Sequence, residues 1–165
     1  MNNTYKKYNT NTNYIIDYKK SIFGFDLDST LIKFNLKVPE FELQYPNIID
    51  KLKELSKNYN IVIITNQNHN KYELFEKKIK ELLKLFEKNN FNISVYVATK
   101  KDFYKKPNTN IVSIIEKDYN NKIKYYCGDA CCHEKDFSDT DLKFALNLNI
   151  PIKSNKYVYL LLFIA

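Results

Sequence analysis

The chain lacks arginine and tryptophan and has only two glycines, four prolines and three cysteines among its 165 residues. All 26 basic side chains are therefore lysines, which bind phosphate as point charges without the bidentate fork of a guanidinium. The cysteines, Cys127, Cys131 and Cys132, are too few, too close together and odd in number for a secreted disulfide framework. We therefore expect a protein of a reducing, intracellular compartment.

Long apolar segments are also missing. No run approaches the ~18 residues of a membrane span, and residues 1–14 are too polar for a signal peptide. These 14 residues show no apolar period, so we expect a mobile polar arm there and a single domain over residues 15–165. The predicted protein has no membrane partner and is a monomer.

The formal charge of +7 is consistent with a polyanionic partner such as a nucleic acid. An AT-rich coding bias is an alternative explanation, because the chain is also rich in Asn, Ile and Tyr. Charge alone does not decide between these two explanations, so the chemistry has to come from particular residues.

Four short apolar runs, rich in β-branched and aromatic residues, predict buried strands. They are Ile22 to Phe25, Tyr59 to Ile64, Ile93 to Ala98 and Ile123 to Cys127. Apolar residues between these runs recur at helical spacing. The predicted helices begin near Pro46, Tyr72, Pro107 and Asp139. This alternation predicts an α/β fold, a Rossmann-like three-layer sandwich with a mainly parallel sheet, whose ligands bind at the carboxyl ends of the strands.

Polar side chains follow each predicted strand at this edge of the sheet. They are Asp26, Asp28 and Thr30 after the first strand, Thr65-Asn66-Gln67 after the second, Lys105-Lys106 after the third and Asp129 after the fourth. Carboxylates, a hydroxyl and a lysine at one point suit phosphoryl chemistry on Mg²⁺, which prefers oxygen ligands and neutralises phosphate charge.

Each of these residue types has a plausible role in such chemistry. Asp26 is predicted to attack phosphorus and form an aspartyl phosphate, and Asp28 to act as the general acid and base. Thr65 and Lys106 are predicted to donate to the phosphate oxygens, where charge is held in the transition state. Asp129 would complete the metal site.

The order FGFDLDSTLI, IVIITNQ, VAT, YKKP, CGDA and KDFSDTDLKFALNL resembles the haloacid dehalogenase-like phosphatases, and within them the polynucleotide 3′-phosphatases. The resemblance implies a fold without a large cap domain and Mg²⁺-dependent removal of 3′-phosphate from DNA ends, single-stranded or nicked. It implies metal ligation by Asp26, the backbone carbonyl of Asp28, and Asp129. Asp141 matches a family carboxylate that contacts the metal ligands rather than the metal itself. Substrate contacts are expected from Thr30, Asn66, Tyr104 and Lys105.

The chain departs from the family pattern at several positions. Ser29 replaces a usual glycine, which is tolerable if its φ is negative, and Lys105 replaces a usual arginine. Cys131 and Cys132 occupy the region of another arginine, and no Walker A motif is present, so no kinase half is expected.

Two other functions compete with this interpretation. A small-molecule phosphatase of the histidinol-phosphate or heptose-bisphosphate type shares the DxDxT and TNQ motifs. Such enzymes typically also carry a Cys/His zinc loop, but Cys131, Cys132 and His133 do not provide four suitably spaced zinc ligands. A nucleic-acid-binding module that has lost catalysis is the second alternative.

Two further segments are open to more than one interpretation. Phe103 and Tyr104 are equally suited to stacking on single-stranded DNA and to core packing. The apolar carboxyl-terminal segment, Val158 to Ala165, is consistent with an edge strand, an interaction surface or the remnant of a truncation.

Overall fold

The computed structural model describes residues 5–10, 14–34, 41–67, 72–131 and 138–156. They form six strands and four helices, numbered here in chain order. The strands are β1 (Tyr5–Asn9), β2 (Ile22–Phe25), β3 (Asn60–Asn66), β4 (Ser94–Ala98), β5 (Ile123–Gly128) and β6 (Ile152–Ser154). The helices are α1 (Ile48–Ser56), α2 (Tyr72–Lys88), α3 (Asn110–Tyr119) and α4 (Thr140–Leu148).

The strands make one sheet in the order β1-β4-β3-β2-β5-β6. Every neighbouring pair is parallel except β1 with β4, which is antiparallel. The four predicted strands and four predicted helices are confirmed, with boundaries that match or differ by at most three residues.

Two hydrophobic cores lie on the two faces of the sheet. Ile48, Leu52 and Ile79 of α1 and α2 pack in one core, and Ile115 and Phe144 of α3 and α4 pack in the other. Burial of each such side chain contributes ~1.5–3 kcal/mol. The predicted three-layer α/β sandwich is confirmed, and no large cap interrupts it in the ranges that the structure describes.

Asparagine ends several segments where other proteins place glycine. Asn90, Asn120 and Asn149 have φ values of 53°, 46° and 53°, and the last two cap α3 and α4 in the left-handed conformation. Asparagine tolerates this conformation better than other non-glycine residues. This explains how a chain with two glycines still ends its helices sharply.

Residues 5–9 correct one expectation. This segment, assigned from sequence to a mobile arm, forms β1 and pairs with β4 from Tyr5–Ala98 to Asn9–Ser94. A mostly polar composition hid the strand, because an edge strand exposes much of its surface and needs little apolar pattern. Residues 1–4 and 11–13 lie outside the described part of the chain.

The carboxyl-terminal end adds the short strand β6, whose three residues are too few to show a pattern. Val158 to Ala165 lie outside the residues described. None of the helices described is long and apolar enough to cross a membrane.

Candidate active site

The carboxyl ends of the parallel strands meet at one edge, as the sequence predicts. Asp26 follows β2, Thr65 lies near the end of β3, and Asp129 follows β5. Lys106 comes from the loop after β4, and Asp141 from the first turn of α4. One site therefore contains side chains from five different segments of the chain.

Lys106 lies at the centre of this site and is only 4% exposed. Its Nζ donates hydrogen bonds to Asp26 Oδ1 at 2.6 Å, Tyr126 Oη at 2.6 Å and Asp141 Oδ1 at 2.7 Å. Three partners match the three protons of an ammonium group. The lysine is thus held in one position beside the predicted nucleophile.

Asp141 is 2% exposed and packs directly against Gly128. A Cβ at position 128 would lie 2.5 Å from the carboxylate carbon of Asp141, so only glycine allows this approach. The second oxygen of Asp141 accepts a hydrogen bond from the Ala130 amide at 3.3 Å. Glycine in the GDA segment is therefore required by the position of this carboxylate.

Carboxylate oxygens of Asp26, Asp129 and Asp141 all lie within 4.8 Å of one another. Three aspartates face one lysine, so the cluster carries excess negative charge. Burial, opposed by Lys106 and reinforced by Asp141, raises the pKa of Asp26 to about 8. Burial and Asp141 also raise the pKa of Asp129. An all-oxygen cluster of surplus negative charge fits a hard divalent cation such as Mg²⁺.

Lys106 remains charged in this setting. Burial disfavours its ammonium form, but the neighbouring Asp26 and Asp141 outweigh burial and raise the pKa of Lys106. A permanent ammonium beside Asp26 suits a group that binds a phosphate oxygen.

Asp28 is not one of the three clustered carboxylates, and its side chain is bound by Gln67. Gln67 Nε2 donates to Asp28 Oδ2 at 2.6 Å and to Thr65 Oγ1 at 3.0 Å. The amide therefore fixes the predicted acid and base beside the predicted phosphate donor. The side chain of Asp28 is partly exposed, as a group that exchanges protons with a substrate or water must be.

Asn66 uses both ends of its amide on the backbone of Lys106. Its Nδ2 donates to the Lys106 carbonyl at 3.0 Å, and its Oδ1 accepts from the Lys106 amide at 2.9 Å. These bonds position the lysine. The predicted contact of Asn66 with substrate stays a prediction.

Thr30 is fully buried, and its Oγ1 has no hydrogen-bond partner among the residues described. Its predicted substrate role also stays a prediction.

Ser29 has a φ of 59°, so it does not have the negative φ at which a serine would replace glycine without strain. Left-handed geometry costs ~1–2 kcal/mol for such a residue. The Ser29 amide donates to Ile32 O at 2.7 Å, and its carbonyl accepts from Asn155 Nδ2 at 2.8 Å, which hold the turn.

Tyr104 and Lys105 are both half-buried on the loop beside Lys106. The ring of Tyr104 packs on Tyr5 of β1, with centroids 5.1 Å apart. Cys127 and Cys131 are buried and are not joined in a disulfide, while Cys132 and His133 lie outside the described part. The predicted substrate contacts of Tyr104 and Lys105 stay predictions.

Tyr126 is a member of the site that the sequence analysis missed. Its hydroxyl donates to Ile64 O at 3.3 Å, lies 3.2 Å from Asp141 Oδ1 and accepts from Lys106. No sequence pattern distinguishes Tyr126 as a site residue, because it lies within a run that is already predicted to be an apolar strand. Gln67 was visible in the TNQ segment, but its contact with Asp28 was not.

Comparisons with known proteins agree with the geometry of the site. The family described as polynucleotide kinase 3 phosphatase matches residues 21–159. A bifunctional polynucleotide phosphatase/kinase of Schizosaccharomyces pombe is 34% identical over 157 residues, which cover 86% of this chain and 38% of the relative. A polynucleotide 3′-phosphatase of Arabidopsis thaliana is 31% identical over 152 residues, which cover 76% of this chain and 22% of the relative. This chain spans well under half the length of both relatives.

A solved structure shares the fold. A protein of Mesorhizobium loti described as a HAD-like phosphatase superposes with a TM-score of 0.69 at 12% identity, covering 91% of this chain and 78% of that one. The resemblance stated from sequence motifs is confirmed by these matches.

Proposed function

The chain belongs to the polynucleotide kinase 3 phosphatase family, and on that premise we propose that it removes 3′-phosphate groups from DNA ends. The observation that carries the proposal is the contact of Lys106 with Asp26 and Asp141 beside Asp129. A buried ammonium next to a carboxylate nucleophile and an oxygen-rich cation site is what hydrolysis of a phosphate monoester requires.

In the first step, a carboxylate oxygen of Asp26 attacks phosphorus while the bond from phosphorus to the 3′-oxygen breaks. Asp28 gives its proton to that oxygen, so the DNA leaves with a free hydroxyl. In the second step, water attacks the aspartyl phosphate, Asp28 takes the proton of the water, and inorganic phosphate and free Asp26 result.

Asp26, Asp129 and the backbone carbonyl of Asp28 are the proposed Mg²⁺ ligands, and the bound ion would neutralise charge on the phosphate oxygens. Asp141 lies within the same carboxylate cluster and orients Lys106. Once a phosphate lies beside it, Lys106 would donate to an equatorial oxygen.

Binding of DNA rather than a small ester would use lysines outside the cluster. The formal charge of +7 and Lys105 at the rim of the site support a polyanionic substrate. We also propose a monomer. We propose a reducing compartment as well, which the absence of a disulfide between the buried Cys127 and Cys131 supports.

The test measures phosphate release from four substrates at low salt. These are a 3′-phosphorylated oligonucleotide, its 5′-phosphorylated counterpart, a small aryl phosphate and histidinol phosphate. We expect the highest kcat/KM for the 3′-phosphorylated oligonucleotide. Its log affinity is expected to fall with log salt at a slope of about −0.7 for each neutralised phosphate.

Two results would contradict the proposal. A 3′-phosphorylated oligonucleotide no better than the aryl phosphate would remove the polynucleotide assignment. Preference for histidinol phosphate would favour the small-molecule alternative.

A further inference from the structure

The loop from Lys100 to Lys106, here the 100–106 loop, joins β4 to α3 and presents an aromatic ring to solvent. Phe103 in its middle is 59% exposed, although phenylalanine usually packs inside. Its ring lies 4.8 Å from that of Tyr104 at 52°, and Tyr104 in turn packs on Tyr5. One side of Phe103 is thus supported by protein, and the rest faces solvent.

The backbone of the loop is held by side chains. Asp102 Oδ1 accepts from the Tyr104 amide at 2.9 Å, and Asn108 Nδ2 donates to the Asp102 carbonyl at 3.1 Å. At the far end, Asn66 fixes Lys106 through two hydrogen bonds. Phe103 is therefore held at a fixed place three residues from the catalytic lysine, at most ~11 Å along the chain.

Two lysines of the loop add positive charge close to Phe103. Lys100 and Lys101 are exposed and have no carboxylate within 4.0 Å in the part of the chain described. Some exposed lysines elsewhere do pair with neighbouring acids, as Lys57 does with Glu54 and Lys143 with Asp139. The intervening Asp102 accepts from the Tyr104 amide with one oxygen, and its other oxygen is buried, so it makes no ion pair with these lysines in the part of the chain described.

An exposed aromatic ring between free lysines, fixed beside a phosphate site, has the chemistry of a single-strand binding surface. We infer that Phe103 stacks on a base of a single-stranded polynucleotide whose 3′-phosphate lies at Lys106, while Lys100 and Lys101 bind its backbone phosphates. The inference rests on the proposed function and specifies how the strand is held. Tyr104 supports the stacking ring from behind.

Base stacking on an aromatic side chain contributes ~1–3 kcal/mol, which corresponds to a change of about 5- to 150-fold in affinity. Phe103→Ala is expected to weaken binding of a 3′-phosphorylated single strand by a factor in this range, and Phe103→Trp to retain binding. Affinity is measured by fluorescence anisotropy with Asp26→Asn present in every protein, so that the oligonucleotide is not hydrolysed.

Tyr18→Ala is the matched control. Tyr18 is also 59% exposed, but it lies near the amino ends of the strands, where its carbonyl accepts from Asn121 and the adjacent Asp17 contacts Asn60. This variant is expected to bind the oligonucleotide as the parent does. With Asp26 intact, Phe103→Ala is also expected to hydrolyse a small aryl phosphate at the parental kcat/KM.

A scan with one abasic site moved back from the 3′-end separates stacking from charge. The parent is expected to bind more weakly when the abasic site is at one particular position. At that position the abasic site is expected to cause no further loss of affinity in Phe103→Ala. An unchanged Phe103→Ala variant, or an equal loss in Tyr18→Ala, would overturn the stacking inference even where the oligonucleotide remains the better substrate. If the oligonucleotide is no better than the aryl phosphate, the proposed function itself fails.

Discussion

Two buried polar networks in this protein each contain tyrosine, and they differ in charge. At the site, Tyr126 contacts Lys106 and Asp141 among several carboxylates. Between β1, β4 and α3, Tyr119 Oη donates to Ser94 Oγ at 2.8 Å, and Ser94 donates to Asn9 Oδ1 at 2.7 Å. We call these the charged network and the neutral network.

The neutral network also includes Tyr14, whose hydroxyl lies 2.7 Å from that of Tyr119. Its bonds join β1 to the rest of the sheet without burying an ion, and burial raises the pKa of Tyr119, so the hydroxyl stays neutral. The charged network instead buries Lys106 among carboxylates that repel one another, at a cost in desolvation. The neutral network therefore joins elements of the fold, whereas the charged network contains the groups that the proposed chemistry needs.

The largest effect is expected from removing the proposed nucleophile of the charged network. Asp26→Asn keeps the shape of the side chain but cannot attack phosphorus, so the rate of phosphate release should fall by more than about 100-fold, or ~3 kcal/mol. The variant should stay folded, because it loses repulsion from Asp141. Asp50→Asn, an exposed aspartate of α1, is the control. More than a hundredth of the parental rate would argue against the covalent mechanism.

A somewhat smaller effect is expected from weakening the cation site. Asp129→Ala removes one oxygen ligand and one negative charge, so the Mg²⁺ concentration for half-maximal activity should rise by about 10- to 100-fold. EDTA should abolish the activity of the parent enzyme, because it removes Mg²⁺. Asp139→Ala, an exposed aspartate paired with Lys143, should leave the Mg²⁺ requirement unchanged. Rescue by Zn²⁺ alone, lost on Cys131→Ser, would instead favour a zinc-loop phosphatase.

The sequence predicts the part of the site that lies at strand ends, and the reason is physical. A buried strand must stop being apolar where it reaches the edge of the sheet, so Asp26, Thr65 and Asp129 stand out. Tyr126 does not, because a hydroxyl inside an apolar strand leaves no break in the pattern. β1 was missed for the opposite reason, since its polar residues pair through backbone and through the neutral network.

Removing one hydroxyl from each network tests the comparison directly. Tyr126→Phe loses a bond to a charged group worth ~1.5–3 kcal/mol, so kcat for the aryl phosphate should fall by about tenfold with little change in KM. Tyr119→Phe removes the hydrogen bonds that the Tyr119 hydroxyl makes with Ser94 and Tyr14, so the free energy of unfolding should fall by ~1–3 kcal/mol while kcat is unchanged. Urea unfolding and steady-state kinetics measure both. Loss of stability with intact kcat in Tyr126→Phe would make its hydroxyl structural.

The smallest effect concerns the pH dependence of stability without Mg²⁺. The folded protein raises the pKa of Asp26 from the usual 3.8 to about 8, so between these values it binds a proton that the unfolded chain has released. Stability must therefore fall as the pH rises through this range, by at most ~1.4 kcal/mol per pH unit.

Lys106 stabilises the ionised form of Asp26 and already limits the rise of its pKa to this value. The urea midpoint of the metal-free parent should decrease from pH 5 to pH 8, and that of Asp26→Asn should decrease less. Mg²⁺ should restore the parent at pH 8, because a cation bound by the folded state replaces the proton. Equal slopes for the two proteins would show that Asp26 is already ionised throughout, and the charged network would then cost the fold less than its burial implies.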